Sequence, residues 1–296
     1  MNTTARLAGF GGALVLLAAG GFAVGHAAGP VSAAPAEHRD MGGEHAGMAA
    51  PADELPGGLA SSKDGYTFTA GSTPEPGRFS FGITGPDGKP VTAFDVEHEK
   101  KLHLIVVRRD TSGFRHVHPE LAPDGTWSVP LTLPAAGSYR AFADFAPTGG
   151  KPMTLGTDLS VAGDYQPATY APSRTAKVDG YTVELAGDLT PGKTSPLTLT
   201  VSRDGVPVTD LQPYLAAYGH LVALREGDLA YLHVHPGGAP GDGRTAAGPQ
   251  VQFAAEVPSA GTYRLFLDFK HGDVVRTAEF TVPTAGTPAA AAGHGH

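Results

Sequence analysis

Gly137-Ser138-Tyr139-Arg140-Ala141-Phe142-Ala143-Asp144-Phe145 returns 124 residues later as Gly261-Thr262-Tyr263-Arg264-Leu265-Phe266-Leu267-Asp268-Phe269. Working outward, His116-Val117-His118-Pro119 returns as His233-Val234-His235-Pro236, and His103-Leu104-Ile105-Val106 as His220-Leu221-Val222-Ala223. Asp87-Gly88-Lys89-Pro90-Val91-Thr92 returns as Asp204-Gly205-Val206-Pro207-Val208-Thr209, and Asp64-Gly65-Tyr66-Thr67 as Asp179-Gly180-Tyr181-Thr182. Matching blocks in one order are the signature of a duplicated domain. The offset is 117 from the Asp87 turn through the histidines and 124 afterwards, so an insertion lies between, in the Gly-rich stretch from Gly237 to Gly248.

Each copy is built of short segments. Phe79-Phe81-Ile83, Leu131-Leu133 and Leu197-Leu199-Val201 alternate with period two, and the Asp-Gly dipeptides are turn signals. The 41 Gly and 26 Pro fit many short strands and oppose long helices. The expected fold is all-β: two tandem immunoglobulin/fibronectin-like β-sandwich domains over residues 61–165 and 173–283, with a barrel as the alternative.

The ends read differently. Arg6 followed by the apolar run Leu7 to Val24 and the small residues Val31-Ser32-Ala33-Ala34 reads as a signal peptide over residues 1–33, or else as an uncleaved membrane anchor. Either places the body outside the cytoplasm, secreted or anchored to the cell membrane, with membrane contact only through this segment. Residues 34–60 and 284–296 have no apolar pattern to pack and are expected to be a disordered linker and tail. A net charge of −8 argues against nucleic acid as a partner. With no cysteine, any metal must be held by His, Met, Asp or Glu.

The histidine spacing translates into geometry. If Gly227-Asp228 turns a hairpin, residues whose numbers sum to 455 face each other, which pairs His220 with His235 and sets His233 diagonally on the same face. In the first copy His103 and His118 pair by a sum of 221 about Asp110-Thr111, with His116 beside them. Three imidazoles on one face are the donor set of a first-row metal ion, so each repeat is expected to bind one. Asp144 and Asp268 are candidates for a fourth ligand or for an acceptor that orients an imidazole, or else ion-pair partners of Arg140 and Arg264. Phe114 and Tyr231 share the histidine face and are expected to pack there; His98 and His271 have no counterparts in the other copy and read as surface residues. In the linker, His38-Arg39-Asp40-Met41 and His45-Ala46-Gly47-Met48 repeat a His-x-x-Met unit. The thioethers of Met41 and Met48 with imidazole suit a copper ion better than zinc, so copper is the expected ion and zinc the alternative.

The two blocks from Leu102 to Pro119 and from Gly219 to Pro236 resemble His-x-His-Pro repeat domains of exported bacterial proteins of the heavy-metal-handling type. Their design is also similar to YtkA-like and CopC-like domains, the latter being immunoglobulin-like copper carriers. The amino-terminal histidine of such carriers has no counterpart here, so the resemblance implies fold and metal class, not ligands. The expected function is extracytoplasmic copper binding for storage, transfer or tolerance, with a metal donor or acceptor protein as partner and no enzymatic activity. Two alternatives stand beside it. One is a metal-free cell-surface interaction module. The other is a cupin-type metalloenzyme, suggested by His116, His118 and Glu120 but lacking an acid at Gly237 in the second copy.

Overall fold

The computed structural model describes residues 55–71 and 77–286; the expected signal segment and the His38, Met41, His45 and Met48 units lie outside the described residues. The first repeat contributes β1 (Ser62–Lys63), β2 (Tyr66–Ala70), β3 (Arg78–Thr84), β4 (Leu102–Arg108), β5 (Arg115–Val117), β6 (Glu120–Leu121), β7 (Thr126–Pro130), β8 (Gly137–Phe145) and β9 (Met153–Val161). The second contributes β10 (Thr175–Val178), β11 (Tyr181–Ala186), β12 (Lys193–Arg203), β13 (Val206–Pro207), β14 (His220–Arg225), β15 (Tyr231–Leu232), β16 (Val234–Pro236), β17 (Gln250–Val257), β18 (Thr262–His271) and β19 (Val274–Pro283). There is no helix among the described residues, and none long and apolar enough to cross a membrane.

Each repeat is an antiparallel two-sheet sandwich, as the alternation demands. In the first, β1-β2-β3-β7-β6 faces β5-β4-β8-β9; in the second, β10-β11-β12-β17-β16, with β13 on β12, faces β15-β14-β18-β19. Phe81, Ile83, Leu104, Val106, Trp127 and Tyr139 fill one core, and Val183, Leu199, Val201, Leu265, Leu267 and Phe280 the other. Gly237 to Pro249 form the loop between β16 and β17, where the change of offset put the insertion. The Leu131-Leu133 alternation is not a strand: β7 ends at Pro130, and Pro134 follows. Prolines have no N–H for a ladder, so the two leucines lean on the core from a strand end.

The outward faces of the two four-stranded sheets also pack on each other. Every residue of β4 is buried, because Leu102, Leu104 and Val106 point into the first core while Ile105 and Val107 point out. Ile105, Val107, Phe114 and Phe142 meet Val222, Leu224, Leu229 and Phe266 in a third apolar cluster between the repeats. Phe114 stacks on Phe266 with ring centroids 4.0 Å apart, and Tyr231 lies 5.7 Å from Phe142. These contacts exchange equivalent residues, so a pseudo-two-fold axis relates the repeats.

The segment just before β1, expected as disordered linker, is docked. Arg140, buried on the outer face of β8, donates to the carbonyls of Gly58 and Leu59. Gly58 N–H donates to the Thr154 carbonyl, and Tyr231 N–H to that of Gly57, so this strap touches both repeats. Gly58 needs to be glycine: its φ is +74°, and a Cβ there would lie 2.4 Å from the Phe142 ring. At the other end Thr284, expected in the tail, is buried and donates its N–H to the Gly261 carbonyl.

Candidate metal centre

His103 on β4 and His220 on β14 point into the inter-repeat space at the same end of the axis, and their rings stack 5.3 Å apart at 10°. The expected register of the first hairpin is present. Leu104 pairs with Val117 and Ile105 with His116, both sums being 221, which leaves His118 just past the end of β5 beside His103. Nitrogens of His103, His116 and His118 lie within 4.8 Å of one another.

The second hairpin keeps its register too: Ala223 pairs with Leu232 and Leu224 with Tyr231, both sums being 455. The chain then leaves the sheet at His233, and β16 pairs with β17, setting His235 opposite Ala254 in the other sheet. The triad expected in the second repeat is therefore not assembled; His233 and His235 are exposed, with His235 3.8 Å from Glu256. The sequence explains the difference. By the repeat offset, Pro130 stands where the second copy has Ala254, and proline has no N–H to give the carbonyl of His118. The first repeat consequently stays paired with β4 through His116 and Val117 before crossing to β6, while the second is drawn across earlier.

The tautomers of the first triad follow from its partners. His103 Nε2 is 3.1 Å from the Glu97 carbonyl, which only accepts, so this nitrogen carries the hydrogen. His116 Nδ1 is 2.7 Å from Asp268 Oδ2, and the other oxygen of Asp268 accepts from Thr277 Oγ1 at 2.6 Å. A carboxylate only accepts, so the hydrogen of His116 sits on Nδ1. What remains is His103 Nδ1 facing His116 Nε2 at 3.1 Å, two lone pairs aimed at one another. Two acceptors at that distance repel unless a proton or a cation lies between them. At metal–nitrogen bonds of about 2.0–2.1 Å, ligand nitrogens are about 2.9 Å apart for square-planar neighbours and about 3.4 Å for tetrahedral ones. His118 Nε2, the third donor, is buried with no hydrogen-bond partner.

Asp268 thus orients a histidine of the other repeat, not of its own, and Arg264 pairs with Glu279 instead. Asp144, its equivalent, is the register partner of His103 and accepts from Thr154 Oγ1 at 2.8 Å, while Arg140 pairs with Asp158. Desolvation pushes the Asp144 carboxyl up, against the opposing effects of Thr154 and His233. Tyr214 of the second repeat covers His118 at 6.4 Å between ring centroids, its hydroxyl pushed up to about 12 by burial and then by Asp268. Glu120, which a cupin-like donor set would use, is exposed on β6 opposite Ser128 and outside the cluster. His98 is exposed as expected, but its ring contacts those of His103 and His220. His271 is not a free surface residue: it links the Tyr181 hydroxyl to Asp210.

Burial keeps His103 and His118 neutral. His103 is lowered to about 4 by desolvation and then by His116, and His118 to about 3 by desolvation and then by the neighbouring histidines. In the unfolded chain these groups take up protons near their ordinary 6.5, whereas the folded chain resists until lower pH. Stability of the metal-free protein should therefore fall as pH drops from about 6.5 to about 3, with no further loss from these groups below that. Urea midpoints at pH 7 and pH 4.5 check this, and equal midpoints would contradict the burial of these rings.

One family matches the chain twice, over residues 61–163 and 176–286; it is described as a domain of unknown function, DUF8832. The chain belongs to this family. No curated protein matches it. Among solved structures, this DUF8832 protein is similar to a protein from Corynebacterium diphtheriae described as membrane anchored, at 13% identity, 78% of this chain, 61% of that chain and a TM-score of 0.22. It is also similar to invasin, a bacterial integrin-binding protein, at 12% identity, 73% of this chain, 39% of that chain and a TM-score of 0.20. The fibronectin domains FN1–FN3 of chicken CNTN1 match at 10% identity, 78% and 67% coverage and a TM-score of 0.20. The chain thus spans less than two thirds of the first two structures.

Proposed function

We propose that this DUF8832 protein binds a transition-metal ion, copper by preference, outside the cytoplasm, and serves as a carrier or store rather than as an enzyme. The observation that carries the reading is the pair of lone pairs at 3.1 Å, with the unpartnered His118 Nε2 beside them. Imidazole donors accept both copper and zinc; the preference for copper rests on the His-x-x-Met units of the N-terminal stretch, and the compartment on the leader-like segment before them. A donor or acceptor protein for the ion is the expected partner.

The test is a titration of the full chain after metal removal, with Cu(II) and Zn(II) followed by elemental analysis. One tight ion per chain is expected at the histidine cluster, in place of one per repeat. Replacing His103, His116 and His118 together by Ala should abolish that site, whereas His233→Ala with His235→Ala should leave it. Unchanged tight stoichiometry in the triple variant would sink the reading, and absence of any tight site in the unmodified chain would favour a metal-free interaction module.

A further inference from the structure

Beside the triad, a fourth histidine ring lies against two of its members, and it belongs to the other repeat. We propose that His220 is the fourth ligand, so that one ion is held jointly by both repeats and bolts them together; this rests on reading the three-histidine cluster as a metal centre. With bonds of about 2.0–2.1 Å and about 1.1 Å from nitrogen to ring centre, imidazoles sharing one ion set neighbouring ring centres about 5 Å apart. The His103–His116, His103–His118 and His116–His118 centroids are 5.4, 5.1 and 4.9 Å apart. His220 lies 5.3 Å from His103 and 4.8 Å from His116, within the same range.

His220 has no other employment. Its side chain makes no hydrogen bond among the described residues, and its ring meets those of His98, His103 and His116. It meets the triad at His103 and His116, so binding draws it inward from the second repeat. Its donor is not yet as close as the other three, which lie within 4.8 Å of one another. Asp268 already reaches from the same repeat to His116, so the second repeat supplies both a ligand and the carboxylate that aims another. His98 also touches His220, but it is exposed at the tip of a turn in which it and Glu99 have positive φ, and it belongs to the first repeat.

The experiment uses the full chain with Co(II) as a spectroscopic probe and Zn(II) for thermal shifts, comparing His220→Gln, His220→Ala, His98→Ala and His235→Ala. Loss of a ligand should weaken binding by more than the ~10–100-fold typical of an outer hydrogen-bond partner. Both His220 variants should show this, together with a changed Co(II) visible spectrum and a smaller Zn(II)-induced rise in Tm, while His98→Ala and His235→Ala match the unmodified chain. Unchanged affinity and spectrum in the His220 variants would overturn the joint site and leave the three-histidine reading standing. If the unmodified chain binds no ion, both fall. Should His220→Ala fail to fold, the Gln variant and an X-ray absorption count of imidazoles on the unmodified Zn(II) protein decide: four supports the proposal, three overturns it.

Discussion

Phe266→Ala should destabilise the protein by about 3–5 kcal/mol, the range for removing a fully buried aromatic ring from a packed core. Phe266 is 0% exposed although it points out of its own sandwich, because Phe114 of the other repeat covers it at 4.0 Å, nearly parallel. For a folded unit of this size the loss corresponds to roughly 6–20 °C in Tm. Phe114→Ala attacks the same contact from the other side, so the double variant should lose clearly less than the sum of the two single ones. The metal site should weaken with them, because the His116–Asp268 bond spans the same interface. A Tm change below about 2 °C for Phe266→Ala, given the ring's burial, would mean that the repeats do not pack this way in solution.

The second large effect concerns Asp268. Asp268→Asn keeps the shape and an acceptor oxygen but removes the charge that fixes the His116 tautomer. Metal affinity should fall by about 10–100-fold with the stoichiometry unchanged. Asp144→Asn is the informative control. Asp144 lies beside His103 in the register of the same sheet yet bonds to Thr154, so its loss should change affinity far less. Competition titration with a chelator of known affinity measures both, and equal losses would refute orientation across the repeats. Asp268→Glu, which restores the charge on a longer stem, should recover part of the affinity.

Local geometry was the legible part of this sequence. Strand pairing is set by spacing, so the sums of 221 and 455 give the register of β4 with β5 and of β14 with β15. The repeat blocks likewise mark two sandwiches. What the spacing does not carry is where a strand leaves its sheet, because that depends on the other sheet's edge. The signal was nevertheless present in Pro130 against Ala254, which decides whether the His118 carbonyl is offered a donor. That the histidine face has a partner is also written in the sequence. Leu102-His103-Leu104-Ile105-Val106-Val107 has no polar side beyond its histidine, the mark of a strand covered on both faces, whereas a sandwich exposing that sheet would alternate. A face covered in this way makes Asp268 a candidate partner for a histidine of the opposite repeat.

The connection between the repeats has a consequence for concentration. From Val161 to Thr175 the chain is tied down as it goes: Ala168 N–H donates to Asp110, Arg108 to the Gln166 carbonyl, and Tyr170 lies under the Arg264 guanidinium at 3.8 Å. A pseudo-two-fold face of this kind, if it were shared by separate subunits, would come apart on dilution. Joined by so short a span, its halves meet at an effective concentration of order millimolar, however sparse the protein itself is. Fusion also frees the two halves from remaining identical, so that one copy could keep Pro130 and its histidines turned inward while the other supplies the carboxylate.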